Sequence, residues 1–215
     1  MSQFRITDVC GTLVHDDTTI GLLSWHFSRT GRWRLLGLKC LTASWSPFRW
    51  LIAIIERVTH RHILKHLLVG WLEGDSAEQL SRNAEDYAVW LLCNRRVASV
   101  QALLESTSGE LVLASASLEP VVSALAQHLE GRYVSSRLEV HDGVCTGRYA
   151  QDITGLKIGE LQNLIGNLDL VSCTVISDNL SDRNLLEGAG RAYVVLHRPH
   201  HRSRWVGLDA EYLSL

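Results

Sequence analysis

The sequence predicts an α/β fold: a Rossmann-like parallel sheet with an inserted all-helical segment after its first strand. Two observations carry this prediction. In the second half of the chain, short apolar and β-branched runs alternate with helical runs, the pattern of a parallel sheet covered on both faces. Most of residues 15–93 show the periodicity of helices, and no convincing strand pattern occurs among them. We therefore expect a core formed by residues 1–14 and 94–215, and a helical cap formed by residues 15–93.

The core elements follow from local patterns. Short runs rich in apolar and β-branched residues predict buried strands at Phe4–Val9, Leu111–Ser115, Leu170–Ile176 and Ala192–Leu196. Helical patterns predict helices at Val97–Leu104, Leu118–Leu129, Lys157–Ile165 and Asp182–Glu187. The Asp-Gly pair within His141-Asp142-Gly143 is a strong turn signal, and it predicts a β-hairpin over Arg137–Tyr149. The tail after Leu196 has no clear period.

The inserted segment is predicted to form four helices. They are Ile20–Ser28, Trp33–Ala43, Pro47–Leu68 and Ser76–Leu92. The last of these has the clearest start, because Asp75-Ser76 supplies an N-cap and Glu78 an acidic first turn.

Residues 35–55 of the insertion are apolar and rich in tryptophan. Lys39, Pro47 and Arg49 interrupt this stretch, so its apolar runs fall well short of the ~20 residues that a transmembrane helix needs. Packed cap helices are the first interpretation. A cap that rests on a membrane surface is the second, because tryptophan favours the boundary between lipid and water.

Composition narrows the class of protein. The formal net charge of −2 points to neither nucleic acid nor an anionic membrane by electrostatics alone, and we expect no nucleic-acid partner. The five cysteines are scattered and lack CxxC spacing, which argues against a disulfide framework or a zinc site and favours a reducing cytoplasm. The chain shows no apolar signal region before the first strand, and its oligomeric state is open.

Five polar residues are predicted to meet at one edge of the sheet. Each lies at or just beyond the end of a predicted strand or begins a predicted helix, and the carboxyl ends of parallel strands share one edge. They are Asp8, Ser115, Lys157, Asp178 and Asp182. Carboxylates can hold Mg²⁺ through oxygen, while the metal, the lysine and the hydroxyl neutralise phosphoryl oxygens. One carboxylate can attack phosphorus, so the set points to phosphoryl transfer.

Four motifs of the chain, in order, resemble those of the haloacid dehalogenase-like phosphohydrolase superfamily. They are Asp8-Val9-Cys10-Gly11-Thr12-Leu13, Leu111-Val112-Leu113-Ala114-Ser115, Lys157 with Gly159-Glu160, and Ser177-Asp178-Asn179-Leu180-Ser181-Asp182. The helical insertion after the first motif is similar to the α-helical cap of the phosphoserine phosphatase-like branch. The run Asp142-Gly143-Val144-Cys145-Thr146-Gly147-Arg148 is also typical of that branch.

This resemblance implies a Mg²⁺-dependent phosphatase that hydrolyses a small phosphomonoester through a phosphoaspartate on Asp8. Ser115 would hydrogen-bond the phosphoryl group, and Lys157 would balance its charge and that of Asp8. The implied metal ligands are Asp8, Asp178, the backbone carbonyl of Cys10, and Asp182 directly or through water. The implied substrate-binding residues are Asp17, Ser115, Ala116 and Lys157. From the residues alone, Asp16 could take the same role as Asp17, or both carboxylates could be solvated.

Cys10 is where the chain departs from the family. The family usually has a second aspartate there, which protonates the leaving oxygen and then activates water. A thiol is a poor substitute, and losing general acid/base help costs about 10²–10⁴-fold in rate. Three readings stay open: a slow phosphatase, a phosphatase specialised for a good leaving group, and a non-catalytic phospholigand-binding protein. A cysteine-phosphatase mechanism is disfavoured, because it needs an arginine six residues on, where this chain has Asp16.

The tail after the last predicted strand is basic. It contains His197, Arg198, His200, His201, Arg202 and Arg204. We interpret it as a solvated surface, with a phosphate patch or a nucleic-acid patch as the lesser alternatives. A lipid phosphatase at a membrane surface is a further alternative for the whole chain, since some relatives with this kind of cap act on lipid phosphates.

Overall fold

The computed structural model of the protein describes residues 3–43, 46–47, 50 and 63–214. Its seven strands, in chain order, are β1 Phe4–Thr7, β2 Glu110–Leu118, β3 Arg132–His141, β4 Val144–Gln151, β5 Thr174–Ser177, β6 Arg191–Leu196 and β7 Glu211–Ser214. They form one sheet in the order β4-β3-β2-β1-β5-β6-β7. All neighbours are parallel except β3 and β4, which form the hairpin. The predicted fold class, a mostly parallel α/β sheet, is confirmed.

Eight α-helices lie in the described part of the chain. They are α1 Thr18–Thr30, α2 Arg32–Thr42, α3 Ile63–Gly70, α4 Ala77–Asn94, α5 Ala98–Ser106, α6 Glu119–His128, α7 Lys157–Ile165 and α8 Arg183–Gly188. Each overlaps a helix that the sequence predicts. Most of the predicted helix Pro47–Leu68 lies outside the described residues.

The strands β1, β2, β5 and β6 are buried on both faces of the sheet, which is why their sequences are continuous apolar runs. Alternate side chains of a strand point to opposite faces. Ile6, Val112 and Val175 lie in one apolar cluster, which is closed by Leu161 and Trp205. Leu111, Leu113, Ile176 and Val195 lie in the other cluster together with side chains of α1, α4 and α6.

Register brings the ends of three strands together. Thr7 at the end of β1 lies beside Leu113 of β2 on one side and beside Ile176 of β5 on the other. The residues that follow these positions therefore meet at one edge of the sheet, as the sequence predicts. This edge holds the candidate site.

The hairpin is confirmed, and its turn explains the Asp-Gly signal. Asp142 and Gly143 both have positive φ, at 50° and 77°, as the type I′ turn requires. The turn also docks on the loop before α4: Ala77 donates its backbone N–H to the carbonyl of Gly143, and Cys145 donates to the carbonyl of Asp75. The hairpin thereby ties the insertion to the core.

Helix α4 complicates the predicted division into cap and core. It packs directly against α6, a helix of the core, and its Leu80, Ala84 and Leu91 are buried in the same cluster as Leu125. The boundary at residues 93 and 94 stays a prediction, and so does a separate cap.

Two predicted strand boundaries are corrected, and two short elements of the tail were not predicted. The predicted strand Leu170–Ile176 begins only at Thr174, because Leu170–Ser172 is a 3-10 turn that Asp169 caps. The first strand ends at Thr7, two residues early. The tail, in which no period was visible, contains the 3-10 helix Pro199–Trp205 and β7, a four-residue edge strand. Such short elements leave little periodicity to detect.

Within the described residues, no helix is both long enough and apolar enough to span a membrane.

Candidate active site

Asp8 is the first residue after β1, and it lies at the centre of the sheet edge. Its backbone N–H donates to the carbonyl of Ile176 at 2.9 Å, which prolongs the pairing of β1 with β5. Its Oδ1 accepts a hydrogen bond from the backbone N–H of Val9 at 2.8 Å. The same oxygen is 3.1 Å from Nζ of Lys157. The sharp turn after the strand thus holds the carboxylate in a fixed orientation.

Asp8 is buried, and burial dominates its electrostatics. Desolvation raises the pKa of Asp8 to about 7, against the lowering effect of the Lys157 ammonium. The negative charges of Asp182 and Asp178 raise it further. Three carboxylates and one ammonium in a buried space leave an excess of negative charge. A cation bound beside Asp8 would reduce this excess and lower the pKa of the carboxyl.

Lys157 is the first residue of α7, and its ammonium is buried between two carboxylates. Nζ lies 2.7 Å from Oδ2 of Asp182 and 3.1 Å from Oδ1 of Asp8. Burial disfavours the charge of Lys157, but Asp8 and Asp182 outweigh burial, so the pKa of the lysine is raised. Ser177 donates its Oγ–H to the same Oδ2 of Asp182 at 2.7 Å. Asp182 therefore positions the lysine that faces Asp8.

Asp178 is oriented from two sides. Oδ1 accepts from Oγ1 of Thr12 at 2.8 Å, and the backbone N–H of Asp178 donates to the same hydroxyl at 2.9 Å. Oδ2 lies 3.0 Å from Nε2 of His197. Gly11, with φ of +72°, leaves space for the Asp178 carboxylate, because a Cβ at this position would lie 2.4 Å from Oδ2 of Asp178. The small residue of the first motif thus opens the space between the strand ends.

The donor set fits Mg²⁺. In the described part of the chain, no group of three or more His, Cys, Asp and Glu residues could hold a metal by side chains alone. Asp8 and Asp178 line one cavity with Cys10 and Gly11. Mg²⁺ is usually held by one or two carboxylates and keeps several waters, so the carboxylates of Asp8 and Asp178 fit this ion. A zinc site would require more side-chain ligands.

Ser115 and Ala116 lie within β2 where its pairing with β3 shifts register, between Ala114 and Leu118. Ser115 is buried, and its Oγ accepts a hydrogen bond from the backbone N–H of Ser117 at 3.3 Å. Ser115 and Ala116 line the same cavity as Asp8 and Lys157. The irregular strand end places a hydroxyl near the aspartate, as the sequence predicts.

Cys10 points its thiol toward two hydroxyls. Sγ is 3.0 Å from Oγ1 of Thr18 and 3.0 Å from Oγ of Ser117, and the backbone N–H of Thr18 donates to it at 3.3 Å. Oγ1 of Thr18 also donates to Oγ of Ser117 at 2.8 Å. Burial, together with the charges of Asp17 and Asp8, raises the pKa of the Cys10 thiol to about 11. Cys10 is therefore protonated at neutral pH.

The cavity at Asp8 has a volume of about 310 Å³. Its floor is polar, with Asp8, Ser115 and Lys157, whereas Ile20, Leu64 and Leu68 of α1 and α3 form an apolar wall. Residues 15–93 therefore supply an apolar part of the cavity wall. Its size suits a small substrate.

The two candidate acidic residues before α1, Asp16 and Asp17, make different contacts. Asp17 lines the cavity and caps α1, accepting hydrogen bonds from the backbone N–H groups of Thr19 and Ile20, both at 3.0 Å. Asp16 pairs with Arg95 at 3.0 Å. A substrate contact by Asp17 stays a prediction.

The sequence analysis did not identify two residues that lie at the cavity or contact the site. Lys65 of α3 lines the cavity, and its Nζ binds Oδ1 of Asp152 at 2.8 Å and Oγ1 of Thr154 at 2.9 Å. No local signal identifies Lys65, since its partners are far away in the chain. His197 was interpreted as part of a solvated tail, yet it binds Asp178; its position directly after a predicted strand was the available signal.

Fold and site together define a class of protein: an α/β enzyme with an aspartate, a lysine and a second acidic cluster at the carboxyl edge of a parallel sheet. The family model of the haloacid dehalogenase-like hydrolases matches residues 6–187. The chain belongs to this hydrolase family, which confirms the family and the enzyme class that the four motifs predict. No curated protein matches the chain.

Solved structures extend the comparison at the level of the fold. A protein with unknown function from Bordetella pertussis Tohama I is 16% identical with a TM-score of 0.75, and the match covers 99% of each chain. Phosphoserine phosphatase in its apo form is 14% identical with a TM-score of 0.61, covering 99% of this chain and 94% of that one. A phospho-aspartyl intermediate analogue of phosphoserine phosphatase is 14% identical with a TM-score of 0.57, covering 98% and 93%.

Proposed function

We propose that the protein is a Mg²⁺-dependent phosphatase that hydrolyses a small phosphomonoester through a phosphoaspartate on Asp8. The observation that carries this proposal is the fixed Asp8 carboxylate, 3.1 Å from the Lys157 ammonium on the floor of a cavity that Ser115 also lines. Phosphoserine phosphatase, whose fold this chain shares, has been solved as a phospho-aspartyl intermediate analogue. Its name supports both the reaction type and the attacking residue.

Substrate binding follows from the charges at the cavity floor. Lys157 supplies a cation, while the hydroxyl of Ser115 and the backbone N–H of Ala116 supply donors for the phosphoryl oxygens. The leaving group then lies toward Asp17 and the wall formed by α1 and α3. We infer a small phosphorylated metabolite as substrate, since the cavity is small.

In the first chemical step, an oxygen of Asp8 forms a bond to phosphorus as the bond to the leaving oxygen breaks. The leaving oxygen takes up a proton from solvent, because the Cys10 thiol, with its raised pKa, is too weak an acid to supply it. In the second step, water attacks phosphorus, the Asp8 carboxylate is released, and the water proton is lost to solvent. Since Cys10 stays protonated, it cannot accept that proton, so the second step lacks a strong base.

Asp8, Asp178 and the backbone carbonyl of Cys10 would hold Mg²⁺, which supplies charge neutralisation for the phosphoryl group when bound. Thr12 and His197 orient Asp178. Asp182 is proposed as the residue that positions Lys157, and its direct or water-mediated ligation stays a prediction. We propose the cytoplasm as the compartment, because all five cysteines are free thiols and a reducing compartment keeps thiols unpaired.

A turnover assay on an aryl phosphate and on a panel of phosphorylated metabolites tests this function. We expect phosphate release that requires Mg²⁺ and is lost in Asp8→Asn. Asp86→Asn, on an exposed carboxylate, is the matched control. Turnover no greater than that of the Asp8→Asn variant would overturn the proposal.

The Cys10 thiol favours a second candidate, a non-catalytic phospholigand-binding protein on the same fold. It predicts that orthophosphate or a phosphorylated metabolite raises the melting temperature without being turned over. Appreciable Mg²⁺-dependent turnover by the native protein would exclude this candidate.

A further inference from the structure

Helix α2 carries an exposed surface that the candidate site does not use. Arg32, Trp33, Leu36, Lys39 and Cys40 are all exposed on this helix. Trp33 is 86% exposed and Leu36 is 52% exposed. At ~100° per residue, the five positions fall within an arc of about 120°. We call these five residues the α2 face.

The other side of α2 is anchored by packing. Leu38 is fully buried in the larger apolar cluster. Gly37 lies against the ring of Trp71, since a Cβ at this glycine would come within 2.8 Å of it. The helix is therefore held in place on one side while two large apolar side chains of its other side lie in water. Water does not stabilise such an arrangement, so a partner is expected.

The segment of sequence that contains the α2 face is rich in basic residues. Residues 18–72 contain eight arginines and lysines and a single acidic residue, Glu56, which is a formal net charge of +7. The rest of the chain contains thirteen basic and twenty-two acidic residues, a net charge of −9. The overall charge of −2 hides this asymmetry. The same 55-residue segment contains five of the seven tryptophans, so charge and interfacial aromatics coincide.

The two cations of the α2 face have no acidic partner in the part of the chain that the structure describes. Arg34, on the same helix, is bound to Asp75 at 2.7 Å, and Arg29 of α1 lies over the ring of Trp25. Arg32 and Lys39 make no ion pair with any residue that the structure describes. They flank the apolar pair Trp33 and Leu36, the arrangement of helices that lie flat at a lipid boundary.

We propose that the α2 face binds the surface of an anionic lipid bilayer. Trp33 would lie at the headgroup level and Leu36 would reach the acyl boundary, while Arg32 and Lys39 meet lipid phosphates. A second copy of the chain fits less well, because it would bring two positive segments together. Nucleic acid matches the charge but offers no apolar phase for Leu36.

Co-sedimentation of the full chain with vesicles tests the proposal without any substrate. We expect the protein to pellet with vesicles of phosphatidylcholine containing about 30% phosphatidylglycerol, and to remain in the supernatant with phosphatidylcholine alone. Binding should weaken as salt is raised, because a Debye length shortens from ~10 Å at 0.1 M to ~3 Å at 1 M.

Two double variants separate the contributions. Arg32→Gln with Lys39→Gln should weaken binding about fivefold per removed charge. Trp33→Ser with Leu36→Ser should weaken it about tenfold. The matched control, Val171→Ser with Arg148→Gln, removes an exposed valine and an exposed arginine elsewhere and should bind as the wild type does. Circular dichroism of each variant checks that it is folded.

The outcomes are distinct. No pelleting with anionic vesicles at low salt, or equal binding by the α2 variants and the control, overturns the proposal. A dimer in size-exclusion chromatography that the Trp33 and Leu36 variant dissolves identifies a second copy as the occupant instead. Preferential binding to an RNA oligomer over vesicles identifies nucleic acid, which also overturns it. None of these results depends on whether the protein is a phosphatase.

Discussion

The Sγ atom of Cys10 lies 3.0 Å from the Oγ atom of Ser117, two residues beyond Ser115, which lines the same cavity as Asp8. This contact and that of Thr18 place two hydroxyls and one backbone N–H within hydrogen-bond distance of the Cys10 sulfur, and the Thr18 hydroxyl itself donates to Ser117. Such an environment suits a carboxylate better than a thiol, since carboxylates accept several hydrogen bonds and thiols accept them weakly.

The first prediction follows from this environment. Cys10→Asp should raise turnover by about 10²-fold or more, because a carboxyl can give a proton to the leaving oxygen and take one from water. Steady-state kinetics on an aryl phosphate measures the gain. Cys10→Ser, which adds no base, is the control and should not gain. Equal rates for the Asp and Ser variants would contradict a proton-transfer role at this position.

The second prediction concerns the buried Asp8 carboxyl, whose pKa burial raises from 3.8 to about 7. As pH rises from 4 to 7, the unfolded chain loses this proton while the folded chain keeps it, so the folded state is progressively destabilised. Asp8→Asn removes this effect. With divalent metal chelated, the stability of Asp8→Asn relative to the wild type should rise by about 2–3 kcal/mol between pH 5 and pH 7.

Urea unfolding at the two pH values measures this difference. Asp209→Asn, at an exposed position, controls for the loss of one negative charge. A difference between Asp8→Asn and wild type that is the same at pH 5 and pH 7 would show that burial does not hold the proton on Asp8.

The third prediction separates the two possible roles of Asp182. Its Oδ2 binds both Lys157 and Ser177 at 2.7 Å, so Asp182→Asn breaks a buried ion pair and should lower the free energy of unfolding by about 3 kcal/mol. If positioning of Lys157 is its main role, Mg²⁺ affinity measured by calorimetry should change much less than in Asp178→Asn. An equal loss of Mg²⁺ affinity in both variants would instead make Asp182 a direct ligand.

The fourth prediction concerns His197, whose Nε2 is 3.0 Å from Oδ2 of Asp178. Groups that orient a metal-binding carboxylate typically contribute about 10–100-fold to metal affinity. His197→Ala should therefore raise the Mg²⁺ concentration needed for half-maximal activity, and weaken Mg²⁺ binding in calorimetry, by about tenfold. His200→Ala, three residues on, is the matched control. Unchanged Mg²⁺ affinity in His197→Ala would assign the histidine to the surface after all.

Much of the fold could be predicted because it depends on local patterns. Buried parallel strands read as apolar runs, and the Asp142-Gly143 turn needs residues that tolerate positive φ. The element that escaped is β7, Glu211–Ser214, because a four-residue edge strand with exposed ends is too short to show a period. The sequence prediction included the 3-10 turn Leu170–Ser172 in the following strand, because three residues are also too few to show a period.

By itself, the sequence determined the strand–helix alternation, the family motifs and the candidate residues at the strand ends. Each of these features depends on residues that are close together in the chain. Only the tertiary structure decided the partners of those residues. That Lys157 bridges Asp8 and Asp182, that His197 binds Asp178, and that Cys10 faces Ser117 all depend on strand register. Register is a property of packing between segments distant in the chain, and no local pattern contains it.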